Sequence, residues 1–247
     1  MTNISFEEFY YTEDNQIHNL YEIQKEYEQN NGDISKYRGQ MFCPECKKAE
    51  LRFTHKTNKK RAYLSKIPLS EHAKDCIFKN GYASNSEIIQ FVDNLSKEKV
   101  QDRLEATLNQ LLPKKVKEGH DASNEFKDNP LIIEINNKKD TSIRKLIPKK
   151  SINSWFDKSE ESKVFIFYGH VKLENKKVRT RDGICYELIV KTKQQNEWKK
   201  KTSIFRNRNK DDIDTERIYD IAVLGKIEFY KNFPQIKTLD FDYIKFR

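Results

Sequence analysis

Apolar and polar side chains alternate most regularly in the last hundred residues of the chain. Along residues 218–230, one row consists of Tyr219, Ile221, Val223, Gly225, Ile227 and Phe229, and Lys226 and Glu228 belong to the opposite row. A period of two residues is typical of a half-buried β-strand. Strand-like stretches also occur at 164–173, 184–190, 198–205 and 236–246. The pattern therefore predicts five strands.

Two glycines interrupt the first and fourth of these strands, at Gly169 and Gly225. A glycine inside a strand marks a bulge or a sharp bend, and bent strands favour a small closed barrel. The connection between the third and fourth strands, residues 206–217, is polar and too short for a full capping helix. An SH3-like barrel or another small β-barrel therefore stays open beside an OB-like one.

Helical spacing appears in two earlier parts of the chain. The acidic start, residues 6–31, places Ile17, Leu20, Ile23 and Tyr27 on one helical face. From Ser84 onward the apolar positions are Ile88, Phe91, Leu95, Val100, Leu104, Leu108 and Leu111, and Pro113 stops the pattern. We expect one long helix or two consecutive helices there, with the apolar stripe serving as core.

The segment between these helices and the strands is polar. Gly119 and Pro130 break it, and only residues 131–135 are apolar enough for one short strand. Such a composition is typical of a linker. The chain is thus expected to be an α+β protein with a zinc-finger and helical domain at 1–112, a linker at 113–162 and a five-stranded OB-like β-barrel domain at 163–247.

Three of the four cysteines and one histidine form two close pairs within 34 residues. Cys43 and Cys46 are separated by two residues, and His72 and Cys76 by three. Two such pairs can grip opposite sides of a tetrahedral Zn²⁺. A chance cluster of thiols or a redox motif is the alternative, but a redox CxxC accompanies a βαβ pattern that this chain lacks.

Four protein ligands complete the coordination of zinc, so we expect a structural Zn²⁺ rather than a catalytic one. A segment of about 40 residues buries too little apolar area to fold alone, and a metal supplies the missing stability. Residues 49–55 and 61–67 read as a hairpin, and Ser70 suits the N-cap of a short helix that carries His72 and Cys76. His55 is the one competing ligand, although an exposed hairpin histidine is the simpler interpretation.

The knuckle, hairpin and second pair resemble the N-terminal zinc finger of competence-protein (CoiA-like) and related bacterial proteins. The resemblance covers about residues 35–80 and rests on Cys43-Pro44-Glu45-Cys46 and on the pair that contains His72. Lys47 stands where such knuckles commonly have glycine, and nothing similar to that family's nuclease domain follows. The resemblance implies a DNA-handling context.

The barrel region, residues 163–247, resembles the OB-fold of single-stranded-DNA-binding proteins and tRNA anticodon-binding modules. The similarity rests on Tyr168-Gly169-His170-Val171 in the first strand and on Val223-Leu224-Gly225-Lys226-Ile227 in the fourth. It implies a nucleic-acid surface on the second and third strands and their loops.

Positive charge collects on these two parts of the chain, whose total net charge is +9. Residues 39–81 carry 10 basic and 4 acidic side chains, and residues 148–247 carry 23 and 15. A polyanion is the natural partner, although a lysine-rich composition can also serve solubility alone.

Aromatic and basic side chains alternate around the second and third strands, as base stacking with phosphate pairing requires. The alternative is a tryptophan packed on the barrel beside a solvated lysine run. The candidate nucleic-acid-binding residues are Lys191, Lys193, Trp198, Lys199, Lys200, Lys201, Phe205, Arg206 and Arg208 in this region, and Lys59, Lys60 and Arg61 on the finger, where they would contact phosphate.

Motifs that would indicate an enzyme are missing from the sequence. Neither the P-loop pattern nor the dinucleotide-binding glycine pattern occurs, and only seven glycines are present. The nucleophile elbow is absent as well. His170 lies near a glycine without a nucleophile or metal partner in the sequence. We therefore expect no catalytic residues.

The leading hypothesis is a non-catalytic nucleic-acid-binding protein that engages single-stranded DNA, or RNA, in bacterial or mobile-element DNA metabolism. An adaptor or inhibitor that binds a protein partner is the second hypothesis, and a nuclease with an unrecognised site is the third. The chain has no apolar run of 18 residues and no signal-peptide pattern at its start. A cytoplasmic location without a membrane partner is therefore expected.

Overall fold

The computed structural model describes residues 5–58, 60–74, 76–79, 81–113, 129–136, 142–180, 183–194 and 196–247. They fall into two compact units. The first contains the residues up to Tyr82 together with the strand Ser142–Leu146, and the second contains the remaining elements from Ala83 to Arg247. The protein is a mixed α+β structure, as the sequence predicts.

Short strands and one helix build the first unit. Their bounds are β1 Ser5–Phe6, β2 Glu8–Tyr11, β3 Gln16–Asn19, α1 Leu20–Gln29, β4 Met41–Phe42, β5 Leu51–Thr54 and β6 Tyr63–Lys66, with 3₁₀ turns at Ser35–Tyr37 and Ile77–Lys79. They form two three-stranded sheets, ordered β1-β6-β5 and β3-β2-β4. The predicted hairpin is confirmed, because β5 and β6 pair antiparallel from Leu51 opposite Lys66.

The predicted N-terminal helix is shorter than its apolar spacing indicates. Residues before Leu20 form strands, and Ile17 lies in β3 with 47% of its surface exposed. Asn19 ends the strand and begins the helix, because its side chain accepts from the first turn while Glu22 bonds back to its backbone. This capping box sets the helix start.

The predicted helix between Ser70 and Cys76 is absent from the described residues of that segment. The Ser70 hydroxyl accepts a hydrogen bond from the Glu50 N–H, at 2.7 Å, instead of capping a helix. The chain becomes helical only after Cys76, in the 3₁₀ turn. A tertiary contact therefore replaces the local helix signal.

Two consecutive helices open the second unit, α2 Asn85–Asp93 and α3 Lys97–Leu111. Ser84 and Ser96 cap them, which explains the break between them. Ile88, Val92, Val100, Leu104 and Leu108 are buried, whereas Phe91, Leu95 and Leu111 are only half-buried. Helix α3 packs against two later strands, defined next. Among the described residues, no helix is long and apolar enough to cross a lipid bilayer.

Strands also occur in the region that the sequence assigns to a linker. They are β7 Ile132–Asn136, β8 Ser142–Leu146 and β9 Lys149–Ser151. The barrel strands follow as β10 Val164–Thr180, β11 Gly183–Gln194, β12 Glu197–Asn207, β13 Tyr219–Tyr230, β14 Phe233–Thr238 and β15 Ile244–Phe246. Helix α3 contacts β13 and β15.

Five of these strands close into the predicted barrel. The pairing order runs β10-β11-β12-β14-β13, and β13 returns to pair with β10. All pairs are antiparallel except β12 with β14, which are parallel. The core inside is apolar and includes Phe167, Leu188, Ile204 and Ile236. This connectivity fits an OB-like barrel.

The predicted fifth strand, 236–246, is two strands separated by a turn. The Asp240 carboxylate accepts from the Asp242 N–H at 3.0 Å, and the Asp240 carbonyl accepts from the Tyr243 N–H. This turn places Phe241 outside, 43% exposed. Glycine is required at position 225 for a steric reason, because a Cβ there would lie 2.5 Å from the Lys237 carbonyl oxygen.

Candidate metal centre and nucleic-acid interface

The two cysteines of the first pair lie in a tight turn between β4 and β5. The Cys43 N–H donates to the Ala49 carbonyl at 2.7 Å, and the Lys47 N–H donates to the Cys43 carbonyl at 2.9 Å. Lys47 adopts a left-handed φ of 53°, which explains why glycine is common at this position in such knuckles. The turn directs both sulfurs to one side.

The second pair reaches the same point from the loop after β6. The Cys43 and Cys76 sulfurs are 3.8 Å apart, and the His72 Nδ1 lies 3.3 Å from the Cys76 sulfur and 3.5 Å from the Cys46 sulfur. All four ligand atoms lie within 4.8 Å of one another. The sequence prediction that these residues form one cluster is therefore confirmed.

The three distances of 3.3–3.8 Å are close to the edges of a zinc tetrahedron. With Zn–S bonds of about 2.3 Å and Zn–N bonds of about 2.0–2.1 Å, tetrahedral angles place two sulfurs about 3.8 Å apart and a sulfur and a nitrogen about 3.6 Å apart. The cluster can thus hold a metal ion with four protein ligands. That composition is typical of structural sites.

Apolar side chains pack against this cluster, although Cys46 and His72 are only half-buried. Cys43 is fully buried and Cys76 is 5% exposed. The His72 ring stacks beside Phe6 and Phe78, with centroid separations of 6.1 and 6.3 Å. These rings pack beside the imidazole, whose Nδ1 lies within 3.5 Å of two of the sulfurs.

Hydrogen bonds favour the thiolate form at two of the three sulfurs. Burial alone would raise the pKa of Cys46, but the backbone N–H groups of Ala49, Ala73 and Lys48 outweigh it and lower that pKa. The hydrogen bond from Cys43 lowers the pKa of Cys76 to about 6 and raises that of Cys43. Thiolates are the metal-binding form of cysteine.

His55, the competing ligand, takes a different role. Its ring stacks on Tyr27 at a centroid distance of 4.6 Å and an angle of 7°. The cluster in the described part of the chain consists of the other four residues.

The predicted nucleic-acid residues of the barrel lie on the β11–β12 hairpin, except Arg208, which follows β12. Lys193, Lys199, Lys200 and Arg208 are exposed, Phe205 is 46% exposed, and Lys191, Trp198 and Lys201 are half-buried. Cross-strand pairing places Lys193 opposite Trp198 and Lys191 opposite Lys200. The strand pairing therefore brings these four side chains together near the hairpin turn.

Ion pairs neutralise part of this charge. The Lys191 ammonium lies 2.5 Å from Glu174, and the Lys199 ammonium lies 3.1 Å from Glu197. Burial, with the nearby Lys150 ammonium, lowers the pKa of Lys201 to about 8. The cationic character of the hairpin is thus smaller than its lysine count indicates.

Arg206 is the clear correction to the predicted set. Its side chain is 7% exposed, and Nε and Nη2 form hydrogen bonds of 2.9 and 3.0 Å to the Asp211 carboxylate. Nη1 donates to the Phe241 carbonyl. The guanidinium anchors the loop after β12 and faces protein instead of solvent.

The finger residues divide in the same way. Lys60 is exposed, whereas the Arg61 guanidinium pairs with the Glu7 carboxylate and links the hairpin to the N-terminal strands. Lys59 lies outside the described residues.

The sequence-based set misses a second turn beside the β11–β12 hairpin. In the β13–β14 turn, Lys231 and Asn232 both have positive φ, of 47° and 66°, as a tight hairpin turn requires. Tyr230 beside them is 63% exposed. The sequence signal for this turn was the Lys231-Asn232 dipeptide between two apolar runs. The position of the turn beside β12 depends on the parallel β12–β14 pairing.

Comparisons with known proteins found no relative of this chain. No protein-family model matches the chain, and searches among curated proteins and solved structures found no match.

Proposed function

We propose that this protein binds single-stranded nucleic acid without catalysing a reaction, and that Zn²⁺ stabilises its first unit. In this proposal the metal cluster holds zinc in a finger similar to the CoiA-like type. The barrel is an OB-fold, which is supported by its strand order and by the pairing of its first and fourth strands. OB-folds bind oligonucleotides on their second and third strands and adjoining loops.

One contact carries the proposal. The Lys200 ammonium lies 4.3 Å from the Phe233 ring centroid, so the β11–β12 hairpin touches the β13–β14 hairpin. The two turns form one surface, which we name the hairpin-end surface. Its members are Lys193, Trp198, Lys199, Lys200, Tyr230, Lys231 and Phe233.

This surface combines what a single strand requires. Exposed or half-buried aromatic rings offer faces for base stacking, and the neighbouring ammonium groups offer charge for the phosphates. Helix α3 contacts β13 and β15, on a different part of the barrel. The hairpin end therefore stays accessible within this unit.

The metal cluster supports a structural task. Its four ligands come from two loops that lie 26 residues apart in sequence, so a bound ion would fasten the β5–β6 hairpin at both ends. In this proposal the metal ion takes no part in catalysis.

A second candidate function follows from the charge pairs on β10 and β11. Lys172 pairs with Glu216, Lys176 with Glu187 and Lys191 with Glu174. A surface of alternating sign suits a protein partner better than a phosphate backbone. An adaptor that binds protein through this face is therefore the alternative.

Trp198→Ala tests the leading proposal. Loss of a stacking ring is expected to weaken single-strand binding by about 1–3 kcal/mol. The matched control is Phe241→Ala, an exposed aromatic residue of the same unit outside the hairpin-end surface. Equal affinities of both variants and the parent protein would remove the hairpin-end surface as the binding site.

A further inference from the structure

Two stacked rings in the first unit have no part in the metal cluster. Tyr27, on α1, and His55, after β5, lie nearly parallel with centroids 4.6 Å apart. Tyr27 is half-buried and packs against Phe53 at 6.0 Å, whereas His55 is exposed. One face of the imidazole therefore rests on the tyrosine, and the other faces solvent.

Hydrogen bonds to α1 and within the loop hold the His55 loop in place. The Lys56 N–H donates to Gln24 Oε1 on α1 at 2.9 Å. Within the loop, the Thr57 N–H donates to the Lys60 carbonyl at 2.8 Å, and the Lys60 N–H donates to the Thr57 hydroxyl at 3.0 Å. The loop is thus ordered in advance, which reduces the conformational entropy that the protein loses when a ligand binds.

A polar groove of about 670 Å³ lies beside Tyr27 and the residues that follow His55 in the loop. It is lined by Gln24, Tyr27, Glu28, Asn31, Gly32, Lys56, Thr57 and Asn58. Its volume lies in the range of small-molecule sites. Gly32 has a φ of +88°, and a Cβ there would lie 3.4 Å from the Tyr27 ring, so the chain passes close to the ring on this side.

The chemistry of this groove matches a nucleobase. Side-chain amides such as those of Asn31 and Asn58 present a donor and an acceptor together, as the edge of a base does. An exposed ring face with a second ring behind it is the platform that unstacked bases use in single-strand recognition. Lys56 and Glu28 both line the groove, so recognition there would rest on stacking and amide hydrogen bonds and not on net charge.

We propose that the solvent face of His55 stacks a nucleobase of a single-stranded nucleic acid, with the amide-lined groove beside it receiving the base edge. This second subsite rests on the proposed function, since it takes the same class of ligand. It lies on the first unit and is independent of the hairpin-end surface.

The test uses the full zinc-loaded chain and a fluorescein-labelled single-stranded oligonucleotide. His55→Ala is expected to raise Kd about 5- to 150-fold, from loss of one stacked base. His55→Phe keeps a flat ring and is expected to retain near-parental Kd. Leu69→Ala is the matched control, because Leu69 is 96% exposed on the same unit and lies outside the groove.

Each outcome separates the two proposals. If the parent protein binds and His55→Ala binds equally tightly, the His55 subsite is wrong and the barrel proposal stands. If the parent protein binds no nucleic acid, the proposed function fails. The histidine ring NMR signals are then followed during titration with adenosine and cytidine monophosphate. A shift of the His55 signals supports the subsite, and unchanged signals overturn it.

Discussion

Replacing Cys43 by serine removes one of the four ligand atoms from the metal cluster. The Cys43 sulfur is fully buried and lies 3.8 Å from that of Cys76, at the separation that two zinc-bound thiolates require. A serine hydroxyl is a shorter and harder ligand that stays protonated at neutral pH. We therefore expect Cys43→Ser to lose bound zinc.

The expected loss of zinc affinity follows from the role of Cys43 as a direct ligand. Loss of an outer partner of a metal ligand already costs 10- to 100-fold in affinity, so loss of a ligand is expected to exceed about 100-fold, or about 2.7 kcal/mol. The first unit should then unfold, because structural zinc supplies much of the folding free energy of such small modules. The barrel core consists of side chains of the second unit alone, so the second unit should remain folded.

Metal content by elemental analysis and unfolding by differential scanning calorimetry measure both effects. Cys185→Ala is the matched control, because Cys185 is a buried cysteine of the barrel strand β11 outside the cluster. We expect one zinc per chain in the parent protein and in this control. Retention of zinc by Cys43→Ser would refute the ligand assignment. Joint unfolding of both units would refute their independence.

Two further predictions concern packing and pH. Gly225→Ala should destabilise the barrel by about 1–3 kcal/mol, because the new Cβ meets the Lys237 carbonyl of β14. Gly169→Ala makes ordinary 3.5 Å contacts and should cost less. Urea unfolding measures the free energy of unfolding of both variants. For His18, burial lowers the pKa, but hydrogen bonds to Glu22 and Asp14 outweigh it and raise the pKa. Its stabilisation is therefore fully present below about pH 6.5 and lost as the pH rises through the folded pKa. His18→Gln should abolish this dependence in thermal unfolding between pH 5 and 8, and an unchanged profile would contradict it.

Short-range patterns predicted much of this structure. The two Cys/His pairs identified the metal cluster, because each pair is local and only one long loop separates them. Strand alternation identified the barrel, since a period of two follows directly from a sheet with one buried face. The start of α1 was not predicted, because the apolar spacing placed Ile17 on the helix, whereas the capping box of Asn19 and Glu22 begins it at Leu20.

The remaining features depend on contacts between distant segments. Ser70 looked like a helix cap, but its hydroxyl binds the Glu50 N–H instead. Leu239, Phe241 and Tyr243 alternate as a strand would, yet the Asp240 turn interrupts them. Local propensity cannot reveal these outcomes, because the competing partner lies elsewhere in the chain.

Contacts that local patterns do not reveal also affected the prediction of functional residues, as Arg206 and the hairpin-end surface show. A basic residue in a lysine-rich run looked available for phosphate, but Asp211 lies five residues away and pairs with it. Tyr230 and Lys231 join the surface only through the parallel β12–β14 pairing.

The central claim is that this protein binds single-stranded nucleic acid through cationic and aromatic side chains. Fluorescence anisotropy with labelled single-stranded DNA, duplex DNA and RNA, at two salt concentrations, tests it most directly. We predict preference for single strands, with log affinity falling by about 0.7 per phosphate contact for each unit of log salt. Absence of binding to all three nucleic acids at low salt would contradict the claim and favour the protein-binding alternative.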